Sequence, residues 1–235
     1  MKKIIIFLIL FVMCAVSAFA QASDSSYDQF NGEQITYWIK SLGVNQGDAT
    51  LSFDGTATIN GQEVYLLTFK ATARNFLDVE KIYADKKDFY PVRVERDLNI
   101  WGSKEKITES YDQTKFIVTV EKRTESSPNP EKTVIKKEGR IDNIYCFIYR
   151  FRKNKIFDIG NSFKMNLPTK DVSIKIAKKT NLKIDGKSYE TYYLHTVPTQ
   201  YQLWFDTLDD VIPLRIDKPA VFGGTSMVMT GYKKN

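Results

Sequence analysis

The 235-residue chain carries 34 Lys and Arg against 28 Asp and Glu, a formal net charge of +6, with 43% hydrophobic and 26% charged residues. That is the composition of an ordinary folded domain, long enough to bury a core and too apolar for wholesale disorder. Two Cys and one His exclude a disulfide scaffold and a Cys/His zinc site.

Residues 1–20 read as a secretory signal peptide. Lys2 and Lys3 precede an apolar run from Ile4 to Val16, and Ala18-Phe19-Ala20 supplies the small residues of a cleavage site. The run is shorter than the roughly 20 residues that span a bilayer. Met13 before Cys14 fits poorly with a lipidation site. Cleavage before Gln21 would place the protein in the periplasm or outside the cell. It would also leave Cys146 as the one thiol, within an apolar stretch where a small buried hydrophobe is the expected role.

Residues 21–29 are polar and Ser-rich, and predict a flexible leader to one domain over 30–235. From there the pattern is strand, at 35–40, 49–57, 63–73, 79–83, 91–97, 106–111 and 116–122. Asn60-Gly61 suits a tight hairpin turn. The two prolines in 126–130 predict a loop. Residues 142–152 predict the one helix: Ile144, Phe147, Ile148 and Phe151 share a face, and Asp142 can cap it. Strands resume at 162–167, 172–178, 182–184, 189–196, 201–205, 212–216 and 226–232, with a second turn at Asp185-Gly186.

The two halves echo each other. Each has an Asn/Asp-Gly turn, then a strand ending in Asp (Asp85, Asp206) that returns through Pro-apolar-Arg-apolar from Pro91 or Pro213. The expected fold is all-β: a curved antiparallel sheet or incomplete barrel built from two similar meanders, with the short helix near their join.

Catalytic constellations are sparse. His195 lies in an aromatic strand without a nucleophile motif and is read as structural. Asp85, Asp88, Asp206, Asp209 and Asp210 fall at the matched turns, where Asp side chains bond nearby backbone. No phosphate loop or dinucleotide fingerprint occurs. No metal, cofactor or enzymatic activity is therefore expected, and nucleic acid is an improbable partner for an exported chain without a recognition motif. Charge is uneven: residues 132–187 hold 15 cations and 5 acids, a net of +10. Lys175, Lys178, Lys179 and Lys183 are the candidate anion-facing residues there. A solvated, unpaired sheet face is the plainer reading of the same lysines.

Gly32-Glu33-Gln34-Ile35-Thr36-Tyr37, Gly47-Asp48-Ala49, Tyr149-Arg150 and Leu203-Trp204-Phe205-Asp206 with Ile212-Pro213-Leu214-Arg215 resemble an exported bacterial envelope family, domain of unknown function 3108. The resemblance runs from about Phe30 to the C-terminus and implies a mostly antiparallel β protein, with no site residues to carry over. A looser, fold-level likeness is to the half-barrel carriers of periplasmic lipoproteins. The expected function is an exported, non-enzymatic envelope protein binding an apolar or amphipathic ligand on the concave face of its sheet. The alternative is a surface or assembly module binding an acidic glycan or partner protein through 132–187.

Overall fold

A computed structural model describes residues 26–218 and 224–234. The expected signal segment lies outside them. Fourteen strands alternate with tight turns: β1 Gln34–Ser41, β2 Val44–Ile59, β3 Gln62–Ala73, β4 Phe76–Asp85, β5 Pro91–Ile100, β6 Ser103–Asp112, β7 Ile117–Thr124 and β8 Ser127–Lys136. After the helix α1 (Ile144–Asn154) come β9 Ser162–Asn166, β10 Asp171–Ile184, β11 Lys187–Val197, β12 Gln202–Asp206, β13 Pro213–Lys218 and β14 Thr225–Lys233.

All fourteen form one antiparallel sheet, ordered β8-β7-β6-β5-β4-β3-β2-β1-β14-β13-β12-β11-β10-β9. β1 joins the two meanders by pairing with both β2 and β14. β8 and β9 are edges that do not pair with each other, so the curved sheet stays unclosed. The chain between these edges forms α1. Its Cys146, Phe147, Ile148, Tyr149, Phe151 and Arg152 are all buried. A helix buried on nearly every side belongs in an interior, and α1 contributes side chains to both apolar clusters of the core. No helix among the described residues is long and apolar enough to cross a membrane.

The internal repeat is structural. Asn60-Gly61 and Asp185-Gly186 make equivalent turns, with φ of 48° and 78° in the first and 47° and 81° in the second. Asp85 Oδ1 accepts from the backbone N–H groups of Lys87 and Asp88, and Asp206 Oδ1 accepts from that of Ile212. Phe89 and Val211 hold matching positive φ, 55° and 48°, two residues before Pro91 and Pro213. The carboxylates at these turns therefore organise backbone, as turn Asp residues do.

Three expectations need correction. Residues 127–130 are strand, the start of β8. β8 is an edge, where a proline without an N–H leaves no neighbour unpaired. The helix begins at Ile144, capped by Asn143, whose Oδ1 accepts from Tyr145 N–H at 2.9 Å. Asp142 instead takes a two-point contact from Arg150 Nη2 at 2.9 and 2.7 Å. Finally, the end of the supposed leader is docked. Asp28–Phe30 form one 3₁₀ turn, Phe30 is buried, and the buried Tyr27 ring stacks on Phe89 at 4.1 Å.

Glu33 and Arg152 tie these parts together. Both side chains are fully buried, and Arg152 Nη1 and Nη2 each donate to Glu33 at 2.6 Å. Arg152 also donates to the Asp210 carbonyl at 3.0 and 3.1 Å, and Tyr232 Oη donates to Glu33 at 3.2 Å. The rings of Phe30 and Tyr149 flank the guanidinium at 4.7 and 5.1 Å. One buried pair thus links the residue just before β1, α1, the β12–β13 turn and β14.

Candidate functional site

Inward-facing positions change size along the sheet. Toward the β2–β3 turn they are Phe53, Tyr65 and Leu67, which pack with Phe30, Phe89 and Tyr149 into solid core. Toward the other end the same face carries Gly47, Ala49, Ala71 and Ala73, paired Gly47 with Ala73 and Ala49 with Ala71. Small side chains leave space there. A cavity of about 700 Å³ reaches Ala71 and Ala73, between the inner face of β3–β6, the start of α1, residues 167–169 and the ends of β13 and β14.

One wall is apolar: Ile39, Phe69, Phe76, Ile144, Ile148 and Met227. The other is polar and comes from adjacent inward positions of three strands. Asp78 and Glu80 on β4 stand beside Arg96 on β5 and Glu109 on β6. Arg96 Nε and Nη2 hold Asp78 at 2.7 and 2.5 Å. Asn143, the helix cap, donates Nδ2 to Glu80 at 3.0 Å, and Tyr111 donates to Glu109. The start of α1 is thereby pinned to the cavity wall.

Burial dominates the electrostatics. It raises Glu80 to about 7, against lesser opposing effects of the Asn143 hydrogen bond and Arg96, and it raises Glu109 as well. Beyond the Asp78–Arg96 pair the wall thus has one carboxyl, Glu80, poised to exist protonated near neutrality, and a second, Glu109, shifted in the same direction. The phenols of Tyr145 and Tyr201 also line the cavity and are held above their ordinary range by burial. An apolar wall facing a few convergent polar groups is the usual make-up of a small-molecule site.

The residues singled out from sequence lie elsewhere. Lys175, Lys178, Lys179 and Lys183 are all exposed on β10. A bulge between Ile176 and Lys178 divides them. Lys178 sits over the Tyr193 ring at 6.0 Å, on the face carrying His195 and Trp204. Lys179 sits over Tyr192, whose ring stacks on Phe157 on the helix side, and approaches Glu190 at 3.8 Å. The four lysines therefore do not present one uniform face. His195 is half-buried, its ring 5.9 Å from that of Tyr193. Cys146 is buried, and burial pushes its thiol up, away from a reactive thiolate. No group of three or more His, Cys, Asp or Glu among the described residues is arranged to hold a metal ion.

The cavity wall escaped the sequence reading, although it left a signal. In β4, Asp78 and Glu80 alternate with Leu77 and Val79, so acids point inward beside outward apolar residues. The same strand returns to apolar-inward at Ile82 and Ala84, both fully buried. This switch of polarity along one strand marks where core gives way to cavity.

No curated protein sequence matches the chain. Among solved structures, it is similar to a β-barrel-like protein of domain of unknown function DUF1849 from Brucella abortus. That likeness has a TM-score of 0.52 and 7% identity, over 87% of this chain and 98% of the other. At that identity it speaks for the fold alone. The sequence motifs and the unclosed two-meander sheet agree with a match over residues 33–230 to the family described as a protein of unknown function, DUF3108, and the chain belongs to that family.

Proposed function

We propose that this is an exported, non-enzymatic envelope protein that holds an amphipathic ligand in the cavity between α1 and the concave face of β3–β6. The observation that carries the reading is the division of that cavity into an apolar wall and the Asp78/Glu80/Arg96/Glu109 wall. An apolar chain would lie along Ile39, Phe69, Ile148 and Met227, with its polar end toward Glu80 and Glu109. A volume of about 700 Å³ falls within the roughly 300–1,000 Å³ of small-molecule sites. Export rests on the pattern of residues 1–20. A partner for the basic segment has weaker support, because its lysines are divided between faces.

Native mass spectrometry of the mature protein, purified without detergent, tests this reading. The expected spectrum shows a bound amphiphile, lost when Ala71→Phe and Ala73→Phe fill the cavity. A wild-type protein that stays empty after incubation with a total lipid extract overturns the proposal.

A further inference from the structure

Because neighbouring strands run antiparallel, the β1–β2, β3–β4 and β5–β6 turns lie on one rim of the sheet. They are neighbours, about 10 Å apart at two strand spacings each, and Trp101 N–H bonds the Asn75 carbonyl at 2.8 Å across two of them. This rim is unusually apolar. Leu42 is 84% exposed and Trp101 78%, and Val44, Leu77 and Ile100 beside them are exposed too. Leu42 and Trp101 precede Gly43 and Gly102 in tight turns, at φ of 48° and 53°. Bulky apolar residues are disfavoured in that conformation, and Asn or Asp is favoured. Asn60-Gly61, whose turn lies on the opposite rim, and Asp185-Gly186 follow the rule. The apolar tips therefore depart from local turn chemistry, and they do so where the cavity comes to the surface. Ala73, Phe76, Thr169, Lys218 and Thr225, all at strand ends or turns of this rim, line it.

We propose that this rim docks on an anionic lipid bilayer, seating Leu42 and Trp101 at headgroup depth and presenting the cavity mouth to the membrane. It goes beyond the ligand reading and requires only that the cavity reach this rim. Three features select a bilayer over a rigid protein partner. The apolar groups are separate protrusions on successive hairpins rather than a continuous groove, and a fluid interface accommodates each independently. Trp is favoured where an apolar body meets a wet headgroup layer. The rim is also cationic: Lys40, Arg74 and Lys218 make no ion pair among the described residues, against Asp48 and Asp185 as exposed acids, the latter lining one pocket with Lys40. Basic groups near an anionic surface strengthen such docking.

The test is flotation of the mature protein with phosphatidylcholine vesicles, with and without phosphatidylglycerol. Wild type should float with the anionic vesicles. L42N/W101N should lower partitioning by at least about tenfold, the scale expected on removing two inserted apolar side chains. Each substitution creates an Asn-Gly turn, so thermal stability should be unchanged or raised, and misfolding cannot account for a loss. K40Q/R74Q/K218Q should weaken binding to anionic vesicles only. Wild type that never floats, or L42N/W101N that floats as well as wild type, overturns the proposal. A protein that carries an amphiphile in native spectra yet never floats defeats the docking alone. One that floats yet is always empty defeats the ligand reading alone.

Discussion

Replacing Arg152 by Met removes the guanidinium while keeping most of its apolar stem. Glu33 is then left as a fully buried carboxylate whose remaining donor is Tyr232 Oη at 3.2 Å, and the Asp210 carbonyl loses both of its side-chain donors. Removing one partner of a buried pair costs about 3–5 kcal/mol, because the other charge stays desolvated without compensation. Against a total stability of about 5–15 kcal/mol, that is a large fraction. With a urea m-value of about 2–3 kcal/mol/M for a chain of this size, the midpoint should fall by about 1–2 M. Glu33→Leu combined with Arg152→Met removes both charges, and should recover most of the loss despite the empty volume. Urea unfolding of wild type, both single variants and the double completes the cycle at neutral pH. A single-variant cost below about 1 kcal/mol, or a double variant equal to the sum of the singles, would refute the reasoning.

The cavity wall predicts a pH dependence. Glu80 is raised to about 7 when folded, from an ordinary carboxylate near 4.5, so the folded state keeps a proton that the unfolded chain releases between those values. Stability should fall as pH rises across that window, with Glu109 and Asp142 acting in the same direction. Glu80→Gln keeps an acceptor for Asn143 and should be more stable than wild type above pH 7, by about 1–3 kcal/mol. Thermal melts from pH 4 to pH 8 check this, and parallel curves for the two proteins would contradict it. Gly47→Ala places a Cβ 2.1 Å from the Thr72 carbonyl oxygen and 2.8 Å from Ala73 Cβ, so β2 and β3 must separate locally. The expected loss is about 1–3 kcal/mol in urea unfolding, and a variant within 0.5 kcal/mol of wild type, roughly the noise of a surface change, shows the strands can adjust freely.

The structure gives the short motifs of this chain a physical role. Glu33 is half of the buried pair, Ile35 is core, and Tyr37 donates its hydroxyl to the Pro213 carbonyl at 3.0 Å. Gly47 allows close approach of β3, and Arg150 holds Asp142. Glu33, Tyr37 and Arg150 are joints between the two meanders and α1, whereas Gly47 acts within the first meander. The short motifs are visible as patterns, but the roles of Glu33 and Tyr37 depend on partners 119 and 176 positions away in sequence.

The sequence by itself determined most of the strands, the Asn-Gly and Asp-Gly hairpins, the repeat and the one helix, because period, turn chemistry and β-propensity act over a few residues; it missed β8 and split β10 in two. It misjudged 127–130 because a proline's missing N–H matters only if a neighbour needs it, and edge status is a property of the whole sheet. It placed the helix start two residues early because Asp142 and Asn143 are both capable caps, and the folded contacts, Arg150 on Asp142 and Glu80 63 positions away on Asn143, decide between them. The cavity was the tertiary structure's alone to decide. It exists where Ala71 and Ala73 of β3, the polar positions of β4–β6, the start of α1 and residues of β13 and β14 meet, and no single segment carries that coincidence.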